Sequence, residues 1–96
     1  MTLAQLLGDK RPDILRLAAQ HGATNVRLFG SLARGEARPD SDVDILITLE
    51  PERSLLDLVA LKQDLEDLLG CKVDVVTEAA VSPYIRPQVL RDAVAL

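Results

Sequence analysis

The stretch "LFGSLARGEARPDSDVDILITL", residues 28–49, carries the clearest strand signal of the chain. Its second part, together with Glu50, reads "DVDILITLE" and is rich in β-branched residues, which predicts a strand. Because side chains alternate along a strand, Asp42 and Asp44 are predicted to share one face. Two like charges on one face repel each other, and a bound cation would offset that repulsion. The stretch therefore predicts a strand with two acids on one face.

The segments around this strand have helix and strand patterns of their own. We predict helices at 2–7, 12–22, 31–35, 55–69 and 82–96, and further strands at 25–30 and 72–77. Pro12 suits the first turn of a helix, so the two N-terminal helices are predicted to be separate. Ser54 and Asp57 predict a capping box, and Gly70 predicts the end of that helix. The order of elements predicts an α/β (α+β) sandwich with a small three-stranded sheet packed by helices.

Composition and charge restrict the class of protein. A chain of 96 residues has room for one hydrophobic core, so we expect a single domain over residues 1–96. The net charge is −4, and Phe29 and Tyr84 are the only aromatic residues, so direct nucleic-acid binding is not expected. The apolar runs are too short to span a bilayer, and no secretory signal is apparent. Since the lone Cys71 also fits a reducing compartment, we expect a cytoplasmic protein without a membrane partner.

A third acid repeats the pattern of the first two. Asp74 lies between two valines in the predicted strand at 72–77. If that strand neighbours the one at 42–50, three carboxylates converge, and hard oxygen ligands in that number favour Mg²⁺ or Mn²⁺. The alternative is that Asp42 caps a turn and that Asp44 and Asp74 are solvated on an exposed sheet face. Each aspartate taken alone fits this alternative, whereas the three combined with the neighbouring turn favour a metal site.

That neighbouring turn has features of a phosphate site. Gly30 lets the chain bend sharply and lets a ligand approach the backbone. Ser31 begins a predicted helix, where free N–H groups and the helix dipole attract phosphate. Arg34, one turn later, can reach the same anion with charge-assisted hydrogen bonds. The alternative is an ordinary strand-to-helix turn with a serine cap and a solvated arginine.

The turn and the acid pair together resemble the signature of the minimal nucleotidyltransferase (MNT) domains, in the DNA polymerase beta-like nucleotidyltransferase superfamily. That signature is G-S-x-A-R-G, a short spacer and S-D-x-D. The matching residues are Gly30, Ser31, Ala33, Arg34, Gly35, Ser41, Asp42 and Asp44. Asp74 stands where the family places its third acid. The resemblance covers nearly the whole chain and implies a polymerase beta palm-like fold with a small mixed three-stranded sheet.

The resemblance also implies a role for each matching residue. The nucleotide-binding residues would be Gly30, Ser31, Arg34 and Ser41. The catalytic and metal-binding residues would be Asp42, Asp44 and Asp74. The first two acids would bind two Mg²⁺ ions, and the third would complete one metal site and help to deprotonate the acceptor. The acceptor hydroxyl would then attack the α-phosphorus of ATP, and pyrophosphate would leave.

The same resemblance suggests an acceptor. Larger members of the superfamily carry extra domains that bind their acceptors, and no such domain is recognisable in this sequence. Stand-alone MNT proteins are typically paired with a HEPN-domain protein in toxin–antitoxin modules. We therefore expect AMP transfer to a HEPN toxin, bound in a hetero-oligomer and neutralised by this chain as antitoxin. Two alternatives stay open, namely a non-catalytic antitoxin that acts by binding and a small-molecule nucleotidyltransferase of the antibiotic-modifying kind.

Overall fold

In residues 3–30, 33–35 and 42–96, which the computed structural model describes, the chain forms three α-helices, a short 3-10 helix and four β-strands. The elements in chain order are α1 (Leu3–Gln20), β1 (Ala23–Phe29), β2 (Val43–Leu49), α2 (Leu55–Leu69), β3 (Val73–Thr77), the 3-10 helix (Glu78–Ala80), α3 (Arg86–Asp92) and β4 (Val94–Ala95). None of the helices in these described ranges is long and apolar enough to cross a bilayer.

The strands form one mixed sheet in the order β3-β2-β1-β4. Strand β2 is parallel to β3, whereas β1 is antiparallel to both β2 and β4. The predicted mixed sheet is thus confirmed, but the prediction of three strands was wrong by one. The additional strand, β4, lies within the stretch at 82–96 that was predicted to be helical throughout. Its two residues pair with Arg27 and Leu28 of β1.

The tail helix is shorter than the sequence predicted. Helix α3 begins at Arg86, because the hydroxyl of Ser82 accepts a hydrogen bond from the Tyr84 N–H (3.4 Å) within a turn instead of capping a helix. Pro87 then lies in the first turn of α3, where its missing N–H costs nothing. Ala93 has an extended backbone and ends the helix, which leaves the following residues free to pair with β1.

The N-terminal helix is continuous, so the prediction of two separate helices was wrong. Pro12 lies inside α1 and breaks one hydrogen bond of its backbone. The helix nevertheless continues because buried residues on both sides of the proline, including Leu7 and Ile14, pack into one hydrophobic core. Tertiary packing therefore outweighs the local preference of the proline.

That core lies between α1, α2 and one face of the sheet. Strand β2 contributes Val43, Ile45 and Ile47, all fully buried. Helix α2 begins with the predicted capping box, in which the Ser54 hydroxyl accepts from the Leu56 N–H (3.2 Å) and the Asp57 carboxylate accepts from the Ser54 N–H (3.1 Å). The box and the stop at Gly70 are thus confirmed.

The opposite face of the sheet is only partly covered. Leu46 points to that face, between two core-facing neighbours, and is fully buried. The 3-10 helix packs against β2 there, and α3 packs against β1. Asp42 and Asp74 lie at the N-terminal ends of β2 and β3, and both are exposed. Among residues 3–30, 33–35 and 42–96, nothing described covers the acidic end of this face.

A β-bulge in β1 sets how the sheet meets this acidic end. Thr24 pairs with Thr48, whereas Arg27 pairs with Leu46, so β1 contains one extra residue between these pairs. Asn25, within the bulge, has a positive φ of 52°. The extra residue shifts the register so that Phe29, the last residue of β1, lies opposite Asp44.

Candidate functional site

The acids predicted from the sequence lie on neighbouring strands. Asp44 of β2 and Asp74 of β3 are direct partners in the parallel register. Asp42 immediately precedes β2, two residues before Asp44. Asp44 is half-buried, whereas the other two side chains are exposed. The pairing of β2 with β3 thus brings the predicted acids to one end of the sheet.

The surroundings of Asp44 raise its pKa above the ordinary value. The main cause is burial of the carboxyl group, and the negative charges of Asp74 and Asp42 add to it. The positive charge of Arg34 acts in the opposite direction. Burial and the two acidic neighbours therefore outweigh the effect of Arg34 on this carboxyl group. A cation bound there would offset the repulsion.

The donor chemistry of these acids fits a divalent cation. Carboxylate oxygens are the ligands that Mg²⁺ and Mn²⁺ prefer. Among the residues that the structure describes, however, no three His, Cys, Asp or Glu side chains are gathered closely enough to hold a metal ion. The two strands bring carboxylates of a suitable kind to one end of the sheet. A metal site at that end stays a prediction.

Gly30 is the point at which the backbone comes closest to the acids. It follows β1 with a φ of +75°, a conformation that side chains with a Cβ rarely adopt. A Cβ at this position would overlap the Asp44 Oδ2 atom and lie 3.2 Å from its Cγ atom. Only glycine therefore lets the chain turn directly over the carboxylate.

The turn after Gly30 leads to Arg34. The backbone N–H of Arg34 donates to the Gly30 carbonyl (3.2 Å), which closes one turn of chain. This bond fixes the start of the Arg34 side chain near Asp44, consistent with the effect of its charge on the pKa of that acid. Ser31 and Ser41, the two predicted serine ligands, lie outside the described residues, so their roles stay predictions.

A residue that the sequence analysis missed also contacts this turn. Asp92, the last residue of α3, places its Oδ2 atom 3.6 Å from the Nη1 atom of Arg34. The two residues are far apart along the chain, and the sequence predicted Asp92 only as part of a tail helix. No local pattern in a single sequence could have paired them, because the contact depends on how α3 packs against β1.

The chain is similar to proteins that are already known. Residues 13–96 match a family model described as "Nucleotidyltransferase domain". A relative from Thermococcus cleftensis named "Protein adenylyltransferase MntA" is 44% identical over 78 residues, which are 81% of this chain and 79% of the relative.

Solved structures show the same fold. One described as "Structure of putative minimal nucleotidyltransferase" has 52% sequence identity and a TM-score of 0.89, covering 100% of this chain and 97% of that one. This likeness confirms the predicted fold. A second, described as "Crystal structure of the toxin-antitoxin with AMP-PNP", has 24% identity and a TM-score of 0.75, covering 88% and 69% of the two chains. At that identity the likeness shows the fold alone.

Proposed function

The chain belongs to the nucleotidyltransferase domain family, and on that premise we propose that it transfers AMP from ATP to a hydroxyl group of a partner protein. The relative named as a protein adenylyltransferase supports this reaction. The observation that carries the proposal is the approach of the Gly30 backbone to the Asp44 carboxylate, beside its strand partner Asp74. It puts a sharp glycine turn, suited to phosphate, directly against acids suited to a metal.

The turn would bind the triphosphate of ATP. Gly30 leaves room for phosphate oxygens near the backbone, and Arg34 can donate charge-assisted hydrogen bonds to them. Ser31 and Ser41 would complete the set of ligands, as the MNT resemblance implies. A structure of this fold that is described with AMP-PNP, an ATP analogue, supports a nucleotide in this role.

The acids would hold the metal. Asp42, Asp44 and Asp74 would bind two Mg²⁺ ions, which supply positive charge for the attacking and leaving oxygens when they are bound. The chain itself contributes position, because pairing of β2 with β3 fixes Asp44 beside Asp74. The charges of Asp74 and Asp42 each act to raise the pKa of Asp44, and a bound divalent cation would relieve this repulsion.

In the proposed reaction an acceptor oxygen forms a bond to the α-phosphorus of ATP. The bond from that phosphorus to the oxygen shared with the β-phosphate breaks, and pyrophosphate leaves. We assign Asp74 to take the proton of the acceptor hydroxyl, because this exposed side chain lies where an acceptor can reach it. Arg34 would then stabilise the negative charge on the departing pyrophosphate.

The proposed acceptor is a HEPN-class toxin that this chain neutralises as antitoxin in a hetero-oligomer. The toxin-antitoxin complex that has the same fold supports a protein partner of this kind. The HEPN identity rests on the MNT resemblance of the sequence around Gly30 and Asp44. A protein acceptor also fits the open acidic end of the sheet, which leaves space for a large molecule to approach.

Labelled ATP tests the proposal. The chain, its copurifying partner and Mg²⁺ are incubated with α-³²P-ATP, and the label is expected on the partner protein. γ-³²P-ATP serves as the control and is expected to leave the partner unlabelled, because pyrophosphate departs with that phosphorus. Asp42→Asn and Asp44→Asn should each abolish labelling while the variants stay folded.

Other outcomes would contradict the proposal. A tight complex with no label on any acceptor would indicate an antitoxin that acts by binding. Transfer of label to a small alcohol instead of the partner would indicate a small-molecule nucleotidyltransferase. Undiminished transfer by Asp44→Asn would remove the role assigned to the acids.

A further inference from the structure

Arg34 interacts with two carboxylates that belong to different elements. Its Nη1 atom is 3.6 Å from the Oδ2 atom of Asp92 in α3, and its charge also acts on Asp44 in β2. The Arg34 side chain is 42% exposed, so part of the guanidinium still faces solvent. The Arg34 side chain is therefore an electrostatic link between α3 and the acidic end of the sheet.

The local position of Asp92 is unfavourable without such a cation. It is the last residue of α3, where the helix dipole disfavours a negative charge. Its side chain is only 27% exposed, which limits how far water can solvate the carboxylate. Arg34 offsets both costs, so the ion pair has a clear reason to form.

Asp92 reaches Arg34 from the C-terminal helix. Asp92 lies on α3, which packs against β1, the strand that leads into Gly30. The helix and the turn are thus held by the same strand, which keeps the distance between Asp92 and Arg34 fixed.

We propose that Asp92 is a positioning residue that orders the Arg34 side chain for the triphosphate. This inference rests on the proposed function, in which Arg34 binds the nucleotide. A guanidinium has five N–H donors, so an arginine that contacts a carboxylate can also contact a phosphate. An arginine that is already ordered loses less rotamer freedom when the nucleotide binds.

The dissociation constant of MgATP, measured by titration calorimetry on the purified chain, tests this inference. Asp92→Asn is expected to weaken binding about two- to fivefold, the range of a partly exposed charge pair at one site. Asp92→Glu, which keeps the carboxylate, should restore most of the affinity. Asp67→Asn is the matched control, because it also removes an acid from the last turn of a helix, α2, away from the site.

A double-mutant cycle separates positioning from a structural effect. Arg34→Gln should weaken binding by itself, and adding Asp92→Asn to it should cause no further loss. An equal loss in both backgrounds would show that Asp92 only supports α3, which would overturn the inference. Tighter binding by Asp92→Asn would also overturn it, because Asp92 would then hold Arg34 away from the nucleotide.

The same titration distinguishes failure of this inference from failure of the proposed function. If the wild-type chain binds MgATP and Asp92→Asn binds it equally well, the inference alone is wrong. If the wild-type chain binds no MgATP, the proposed nucleotide site is wrong, and the role of Asp92 falls with it.

Discussion

Gly30 and Gly35 have almost the same backbone conformation in very different surroundings. Their φ angles are +75° and +72°, but a Cβ at Gly30 would overlap Asp44, whereas a Cβ at Gly35 would meet no atom within 4 Å. An alanine in this conformation costs about 1–2 kcal/mol at either position. Gly30→Ala must in addition displace the Asp44 carboxylate, so we expect the larger loss of unfolding free energy and a loss of MgATP binding.

Urea denaturation and calorimetric titration of the two alanine variants check this prediction. Gly35→Ala is the control, since it has the strained φ without the overlap. If both variants lost equal stability and Gly30→Ala still bound MgATP with wild-type affinity, close approach of the backbone to Asp44 would have no role in the site.

The raised pKa of Asp44 predicts how stability changes with pH. A carboxyl group whose pKa is higher in the folded state binds its proton more tightly there, so its ionisation destabilises the fold. This cost is fully present at pH values above the folded pKa and disappears as the pH falls below the unfolded value, near 3.8. Asp44→Asn is therefore expected to raise the melting temperature of the metal-free protein at pH 7.

The advantage of Asp44→Asn should shrink as the pH is lowered from 7 to 4. Thermal melts in a chelating buffer at several pH values measure it, with Asp67→Asn as a control outside the acid group. An advantage that stayed constant or grew toward pH 4 would mean that ionised Asp44 is not destabilised by its neighbours.

At the scale of one element, the bulge in β1 has the largest influence on the site. Asn25 has a φ of 52°, which asparagine tolerates and β-branched residues strongly disfavour. We expect Asn25→Val to lower the unfolding free energy by about 1–2 kcal/mol, whereas Asn25→Gly should change it by less than about 0.5 kcal/mol. Urea midpoints measure both variants, and Asn25→Gly serves as the control because it removes the side chain without disfavouring the positive φ.

Loss of the bulge would also change the acidic end of the sheet. Removing the extra residue would pair Leu28 rather than Phe29 with Asp44 and would shift Gly30 along β2. We therefore expect Asn25→Val to weaken MgATP binding as well. Full stability and affinity in Asn25→Val would show that the register does not depend on this backbone conformation.

The elements that the sequence predicted correctly depend on short-range signals. The capping box at Ser54 and the alternation around Asp44 are each determined within a few residues, so a single sequence contains them. The continuous α1 was missed because Pro12 is a local break signal, whereas the packing that overrides it comes from distant residues. Strand β4 and the contact of Asp92 with Arg34 were missed for the same reason.

At the scale of the whole molecule, one face of the sheet stabilises the fold and the other face carries the proposed site. Its one face, with α1 and α2, carries the hydrophobic core, and its other face carries the acids, partly covered by α3. Substitutions of the acids should therefore affect binding without dismantling the core. The net charge of −4 adds a second consequence, because an acidic protein repels a free triphosphate. Nucleotide binding should accordingly require a divalent cation.

Thermal stability measures this requirement directly. A ligand that binds only the folded state at a hundred times its dissociation constant stabilises the fold by about 2.7 kcal/mol. In a domain of this size that corresponds to a rise in melting temperature of roughly 10–20 °C. We expect this rise with ATP and Mg²⁺ together, and little change with ATP in a chelating buffer or with Mg²⁺ alone. Asp44→Asn should lose most of the rise, although its own melting temperature is higher. An equal rise with ATP in the chelating buffer would show that the acids do not bind the nucleotide through a metal.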